Sequence, residues 1–150
     1  MSHLKQPTIL ITDDDDGHAL LIEENLRSAG IVSPIQRFAD GQEVLDFLFG
    51  RTANARIPDE PYVLLLDIRM PGVDGIEVLR QLKADPTLRK LPVIILTTTD
   101  EPREIERCHE LACNIYIKKP ISYPSFADAM AKLGRFLPLI ALPYLAPPMR

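Results

Sequence analysis

Apolar positions along this chain follow two rhythms that alternate from one end to the other. Short continuous runs occur at Thr8–Thr12 (TILIT), Val63–Leu66 (VLLL) and Pro92–Leu96 (PVIIL). Their length and composition predict strands buried on both faces. Two weaker runs, Ser33–Phe38 and Asn114–Ile117, read as further strands, the first near a sheet edge because Pro34 lies in it. Between the runs, apolar residues recur at helical spacing. Ala19, Leu20, Leu21, Ile22 and Leu26 mark a helix over His18–Arg27, which Gly30 closes as a C-terminal cap. Val44, Leu45, Leu48 and Phe49 mark a second, opened by Asp40-Gly41 and closed at Gly50. Ile76, Val78, Leu79 and Leu82 mark a third over Ile76–Ala84, stopped by Asp85-Pro86. Pro102 is placed to be the first residue of a fourth, with Ile105 and Leu111. Phe126, Ala129, Met130 and Leu133 share a face of a fifth over Ser122–Leu137.

Strand and helix thus alternate five times. That alternation predicts a doubly wound α/β fold, a parallel sheet covered on both sides with right-handed crossovers. Strand order 2-1-3-4-5, the flavodoxin-like arrangement, fits five strands. It sets the first and third strands side by side, with the switch point between them. Open α/β sheets bind their ligands there, at the carboxyl ends of the strands. Asp13 and Asp14 end the first strand, Asp67 the third, Thr97 the fourth and Lys119 the fifth.

Each of these residues also has an ordinary structural reading. Asp67 alone could cap the following loop or helix, and Asp13 and Asp14 could serve a helix start as Asp15 and Asp16 do. Thr97 alone is a common strand residue, and a lone lysine is most often solvated. Their joint placement at four strand ends changes the picture. Three carboxylates at one point repel, so one takes a proton or a cation enters. Magnesium, a hard cation that accepts one or two carboxylates with waters and a phosphate, suits them. A nucleophilic carboxylate, a metal site, a hydroxyl and an ammonium are the parts an in-line phosphoryl transfer requires.

Composition narrows the field. A chain of 150 residues suits one domain. The net charge of -4 without a basic stripe argues against nucleic acid as a partner. The N-terminus has no apolar core of a signal peptide, and no run reaches membrane-spanning length. Cys108 and Cys113 have neither disulfide nor zinc spacing and are expected as buried or half-buried thiols. His3, His18 and His109 are scattered and form no metal constellation. The expectation is a cytoplasmic protein without membrane attachment.

The runs ILITDDD, LLLDIRMPGVDG, PVIILTTT and IYIKKP stand in an order that resembles the response-regulator receiver domains of bacterial two-component signalling. The resemblance covers about Pro7 to Leu137. It implies Asp67 as phosphoacceptor, Asp14 as a direct magnesium ligand and Asp13 as one acting mainly through a coordinated water. It also implies the Arg69 backbone carbonyl on the metal, Thr97 and Lys119 on phosphoryl oxygens, and Tyr116 as a switch aromatic. Without that resemblance Tyr116 reads equally as a half-buried strand tyrosine. Lys119-Pro120 is similar to the family's cis peptide. A sensor histidine kinase is the implied phosphodonor, and the protein is then a switch, not an enzyme.

Residues 1–137 are read as the receiver and 138–150 as an arm. In the arm, Leu137, Leu139, Ile140, Leu142, Tyr144 and Leu145 are apolar and punctuated by four prolines, which forbid a regular helix. Such apolar surface needs cover. The long loop after the second helix, the run LKADPTLRKLPVIILTTT and the arm resemble single-domain receivers partnered with bacterial and cyanobacterial phytochrome kinases. That likeness implies a symmetric homodimer in which the arm crosses onto its mate; the alternative is an arm folded onto its own domain. A phosphorelay intermediate or phosphate sink is an open alternative within the family. An aspartyl-phosphate phosphatase is a weaker one, because the acid it needs two places after the nucleophile is here Arg69. A flavin module is disfavoured, since four aspartates would meet the flavin phosphate.

Overall fold

The computed structural model describes residues 7–120, 122–139, 143 and 145–148. The strands are β1 (Thr8–Thr12), β2 (Ile35–Phe38), β3 (Tyr62–Leu66), β4 (Val93–Thr97) and β5 (Ile115–Lys118). The helices are α1 (Asp16–Ser28), α2 (Gly41–Phe49), α3 (Gly75–Ala84), α4 (Pro102–Glu110) and α5 (Tyr123–Phe136). All pairings are parallel and the order is β2-β1-β3-β4-β5, as the alternation predicts.

The reason the central strands are apolar at every position is visible in their neighbours. Tyr62, Leu64 and Leu66 enter the core under α2, α3 and α4, while Val63 and Leu65 enter the core under α1 and α5. Leu10 against Ile9 and Ile11, and Val93 and Ile95 against Ile94 and Leu96, divide in the same way. Successive side chains on a strand point to opposite faces, and here both faces are covered.

The aspartates at the helix starts have distinct tasks. Asp15 caps α1, accepting the His18 N–H at 3.0 Å, and Asp40 and Asp74 cap α2 and α3 in the same way. Two glycines of the loop before α3 are required by geometry. Gly72 has φ of 75°, and a Cβ on Gly75 would stand 2.2 Å from the Asp67 carbonyl oxygen. That close approach seats the start of α3 directly under the tip of β3.

Three local expectations are adjusted. β2 begins at Ile35, not Ser33, because Pro34 contributes only its carbonyl, which accepts the Ile9 N–H at 2.9 Å. A turn of 3-10 helix, Leu88–Lys90, occupies the loop after α3, started by Asp85 accepting the N–H groups of Thr87 and Leu88. The Lys119–Pro120 bond is trans, against the cis form that the resemblance implied. The small trans preference of an X-Pro bond, roughly 0.5–1 kcal/mol, leaves either isomer within reach of local packing. Cys108 and Cys113 are free and buried, as expected, and burial pushes the Cys108 thiol up to about 12.

Described residues at the C-terminal end join both cores. Leu137 belongs to the core under α1 and α5, yet Leu145, 2% exposed, belongs to the core on the other face of the sheet. Arg56 donates to the carbonyls of Leu48 and Ala146, and Pro148 lies against Gly50 at the end of α2. Burying one leucine gains roughly 1.5–3 kcal/mol, a gain that Leu145 makes in this core. Ile140, Leu142 and Tyr144 lie outside the described residues, and Leu139 is 79% exposed.

Candidate functional site

The ladder hydrogen bonds of the sheet continue one step past the strand ends, and that step fixes the site. Asp13 N–H donates to Phe38 O (3.2 Å), Asp67 N–H to Thr12 O (3.0 Å) and Lys119 N–H to Thr97 O (2.6 Å). Asp13, Asp67, Thr97 and Lys119 are thereby held at the carboxyl edge of the sheet, and all four are buried. Asp14 is exposed beside them. The carboxylates of Asp13, Asp14 and Asp67 offer oxygens that lie within 4.8 Å of one another.

Lys119 reaches into this group. Its Nζ is 2.6 Å from Asp13 Oδ2 and 3.8 Å from Asp67 Oδ2. Asp13 Oδ1 accepts the Asp15 N–H at 2.9 Å. Asp67 Oδ1, in contrast, is buried with no hydrogen-bond partner. A buried oxygen lone pair without a donor is costly. Burial pushes the Asp67 carboxyl above its ordinary range, while the positive Lys119 and the Thr97 hydroxyl oppose the rise. Thr97, fully buried, accepts the Thr99 N–H at 3.5 Å.

These donors fit a hard divalent cation. Oxygen ligands only, one orphaned buried carboxylate oxygen and one exposed acid open to water are what magnesium or manganese accepts. Magnesium at about 100 times its dissociation constant is expected to stabilise the fold by roughly 2.7 kcal/mol. For a chain of 150 residues that raises Tm by roughly 5–10 °C. Protons compete with the cation for the raised Asp67 carboxyl, so the gain shrinks as pH falls through the carboxylate range. Thermal melts with and without magnesium at acidic and neutral pH check both statements; a pH-independent gain would contradict them.

The Arg69 side chain is engaged with α4 and the loop before it. Its guanidinium pairs with Glu104 Oε1 of α4 at 2.5 Å and donates to Thr99 Oγ1 at 3.4 Å. Thr99 Oγ1 also donates to Glu104, and the Tyr116 hydroxyl donates to Thr99 O at 2.9 Å. Burial pushes the Tyr116 phenol up to about 12. Tyr116 is half-buried and tied to the β4–α4 loop. Sequence reading missed this cluster and one further residue, His18. The ring of His18 lies 3.2 Å from Lys119 Nζ. The three histidines looked scattered, but the fourth place after Asp14, within the first turn of α1, was a signal that the first helix could reach the site.

Fold and site together define a doubly wound α/β domain with an acidic cation pocket at its switch point. The chain belongs to the response regulator receiver domain family, whose sequence model matches residues 9–131. A receiver domain structure from Rhodospirillum rubrum superposes with a TM-score of 0.86 at 42% identity, covering 93% of this chain and 99% of that one. The phosphorylated cyanobacterial phytochrome response regulator RcpA gives 0.83 at 29% identity, covering 92% and 99%. The manganese-bound form of response regulator Rcp1 gives 0.82 at 28%, covering 91% and 99%. Among curated relatives, the probable methanogenesis regulatory protein FilR2 of Methanothrix harundinacea is 36% identical, covering 85% of this chain and 81% of its own.

Proposed function

We propose that this response regulator accepts a phosphoryl group on Asp67 from a sensor histidine kinase, with magnesium bound, and signals through protein contacts. The observation that carries the reading is the asymmetry of the Asp67 carboxylate. One buried oxygen has no hydrogen-bond partner beside two further acids, and the other faces Lys119. Asp67 attacks phosphorus, the P–N bond to the donor imidazole breaks, and the imidazole leaves with a proton. Lys119 and the Thr97 hydroxyl stand where the transferred oxygens gather charge. Bound to Asp13, Asp14, Asp67 and the Arg69 carbonyl, magnesium would neutralise charge on the phosphoryl oxygens. The new charge draws Thr97 inward, and Tyr116, now tied to Thr99 O, turns toward the space released.

The role is that of a switch, not an enzyme. Arg69, two places after Asp67, is paired with Glu104 and cannot exchange protons as a phosphatase acid would. Output by protein contact suits a net charge of -4. Free buried thiols suit a reducing cytoplasm. Similarity to RcpA and to the bacteriophytochrome response regulator AtBRR, at 32% identity and a TM-score of 0.68, favours a bacteriophytochrome as the kinase. The receiver would span residues 1–137 and the arm 138–150. A homodimer through the arm would exchange the Leu145 contact between copies. Truncation after Leu137 is then expected to convert dimer to monomer in light scattering, and an unchanged mass would exclude the arm.

The test is labelling by a small phosphodonor such as acetyl phosphate. Hydroxylamine-labile phosphate should appear with magnesium and vanish with a chelator. Label that persists in chelator, or no label at all, would contradict the reading.

A further inference from the structure

We infer that His18 is a positioning residue for phosphoryl transfer: its ring holds the Lys119 ammonium back from Asp67 so that one N–H remains for the incoming phosphoryl group. The inference rests on the receiver reading above and adds to it a residue outside the five strand-end positions.

Lys119 Nζ is buried and carries three protons and no lone pair. One proton goes to Asp13 Oδ2 at 2.6 Å and a second to His18 Nδ1 at 3.2 Å. Because an ammonium only donates, Nδ1 must accept, and the ring proton sits on Nε2. The third proton is left toward Asp67 Oδ2, which at 3.8 Å is too far for a hydrogen bond.

The backbone that carries His18 is itself fixed. The His18 N–H is held by Asp15 Oδ1 at 3.0 Å, and the Asp15 N–H is held by Asp13 Oδ1 at 2.9 Å. The links Asp13–Asp15–His18–Lys119–Asp13 therefore close a ring of hydrogen bonds around the start of α1. Lysine has a flexible stem and a compact charge that moves to whatever acceptor is nearest. With His18 removed, the ammonium would be held by Asp13 alone and would be drawn onto the Asp67 oxygen that must act as nucleophile. With His18 present, the head group is shared between an acid and a neutral ring, and the Asp67 carboxylate stays available.

Side-chain isosteres separate this role from a merely structural one. The asparagine amide oxygen reproduces the place of Nδ1; the glutamine oxygen reproduces that of Nε2. The experiment follows Mg2+-dependent labelling by acetyl phosphate in wild type, His18→Leu, His18→Asn and His18→Gln, with circular dichroism confirming the fold. The expected rate for His18→Leu is about 10-fold below wild type, the effect of one lost charge-assisted hydrogen bond on a transfer step. His18→Asn should recover most of that rate and His18→Gln should not. An unchanged rate in His18→Leu would overturn the inference. So would equal rates for His18→Asn and His18→Gln, since both offer the same amide and differ only in where its oxygen lies. A wild-type protein that takes no label would instead defeat the receiver reading itself.

Discussion

An Asp67→Asn variant folds, melts at a higher temperature than wild type in metal-free buffer, and takes no phosphate from acetyl phosphate or a phosphorylated kinase. Loss of label follows from chemistry. The amide oxygen is a poor nucleophile, and neither Asp13, bound by Lys119 and the Asp15 N–H, nor exposed Asp14 has the setting of Asp67. Wild-type labelling of the variant would remove Asp67 from its proposed role. The gain in stability follows from electrostatics. Burial raises the Asp67 carboxyl above its unfolded value. A raised acid contributes stability that is present below the unfolded pKa and is lost as pH rises through the folded pKa. At neutral pH the metal-free protein has lost it, and a neutral amide removes the buried charge responsible. Below the carboxylate range the two proteins should melt alike. Magnesium should reverse the order at neutral pH by stabilising only the protein with the carboxylate.

Lys119→Met is expected to have the largest cost to stability. Side-chain exposure is 3% for Lys119 and 2% for Asp13, so the pair at 2.6 Å is out of water. Removing one partner of a buried pair typically costs about 3–5 kcal/mol, because the other charge stays buried and unpaired. For a chain of 150 residues that lowers Tm by about 10 °C in metal-free buffer. A divalent cation supplies part of the missing positive charge, so magnesium should restore more stability to this variant than to wild type. Urea unfolding with and without magnesium measures both quantities. A midpoint equal to wild type would show that the Asp13 carboxylate is neutralised by other means.

The fold was legible because its central strands are buried on both faces. Such strands read as continuous apolar runs too short for a helix and bounded by turn residues, and the tips of β1, β3 and β4 are marked by the first polar residue after each run. The acids at those tips were legible for the same reason. What was not legible depends on contacts between distant residues. His18 meets Lys119 across 101 positions. Arg69 meets Glu104 across 35 positions, and nothing local marks either pair. The arm is an intermediate case. Its prolines and apolar residues say that it must be covered, but hydrophobicity has no direction and cannot say by which surface. Among the described residues, Leu145 joins Tyr62 and Leu48 in one core, a contact that no local feature of the arm announces.

Borohydride reduction of the labelled protein tests the central claim most directly. It converts an aspartyl phosphate to homoserine, which peptide mass spectrometry can locate in the chain. The account predicts homoserine at position 67 alone, and only when phosphodonor and magnesium were both present. Homoserine at position 13 or 14, or none in a protein that carries phosphate, would contradict it.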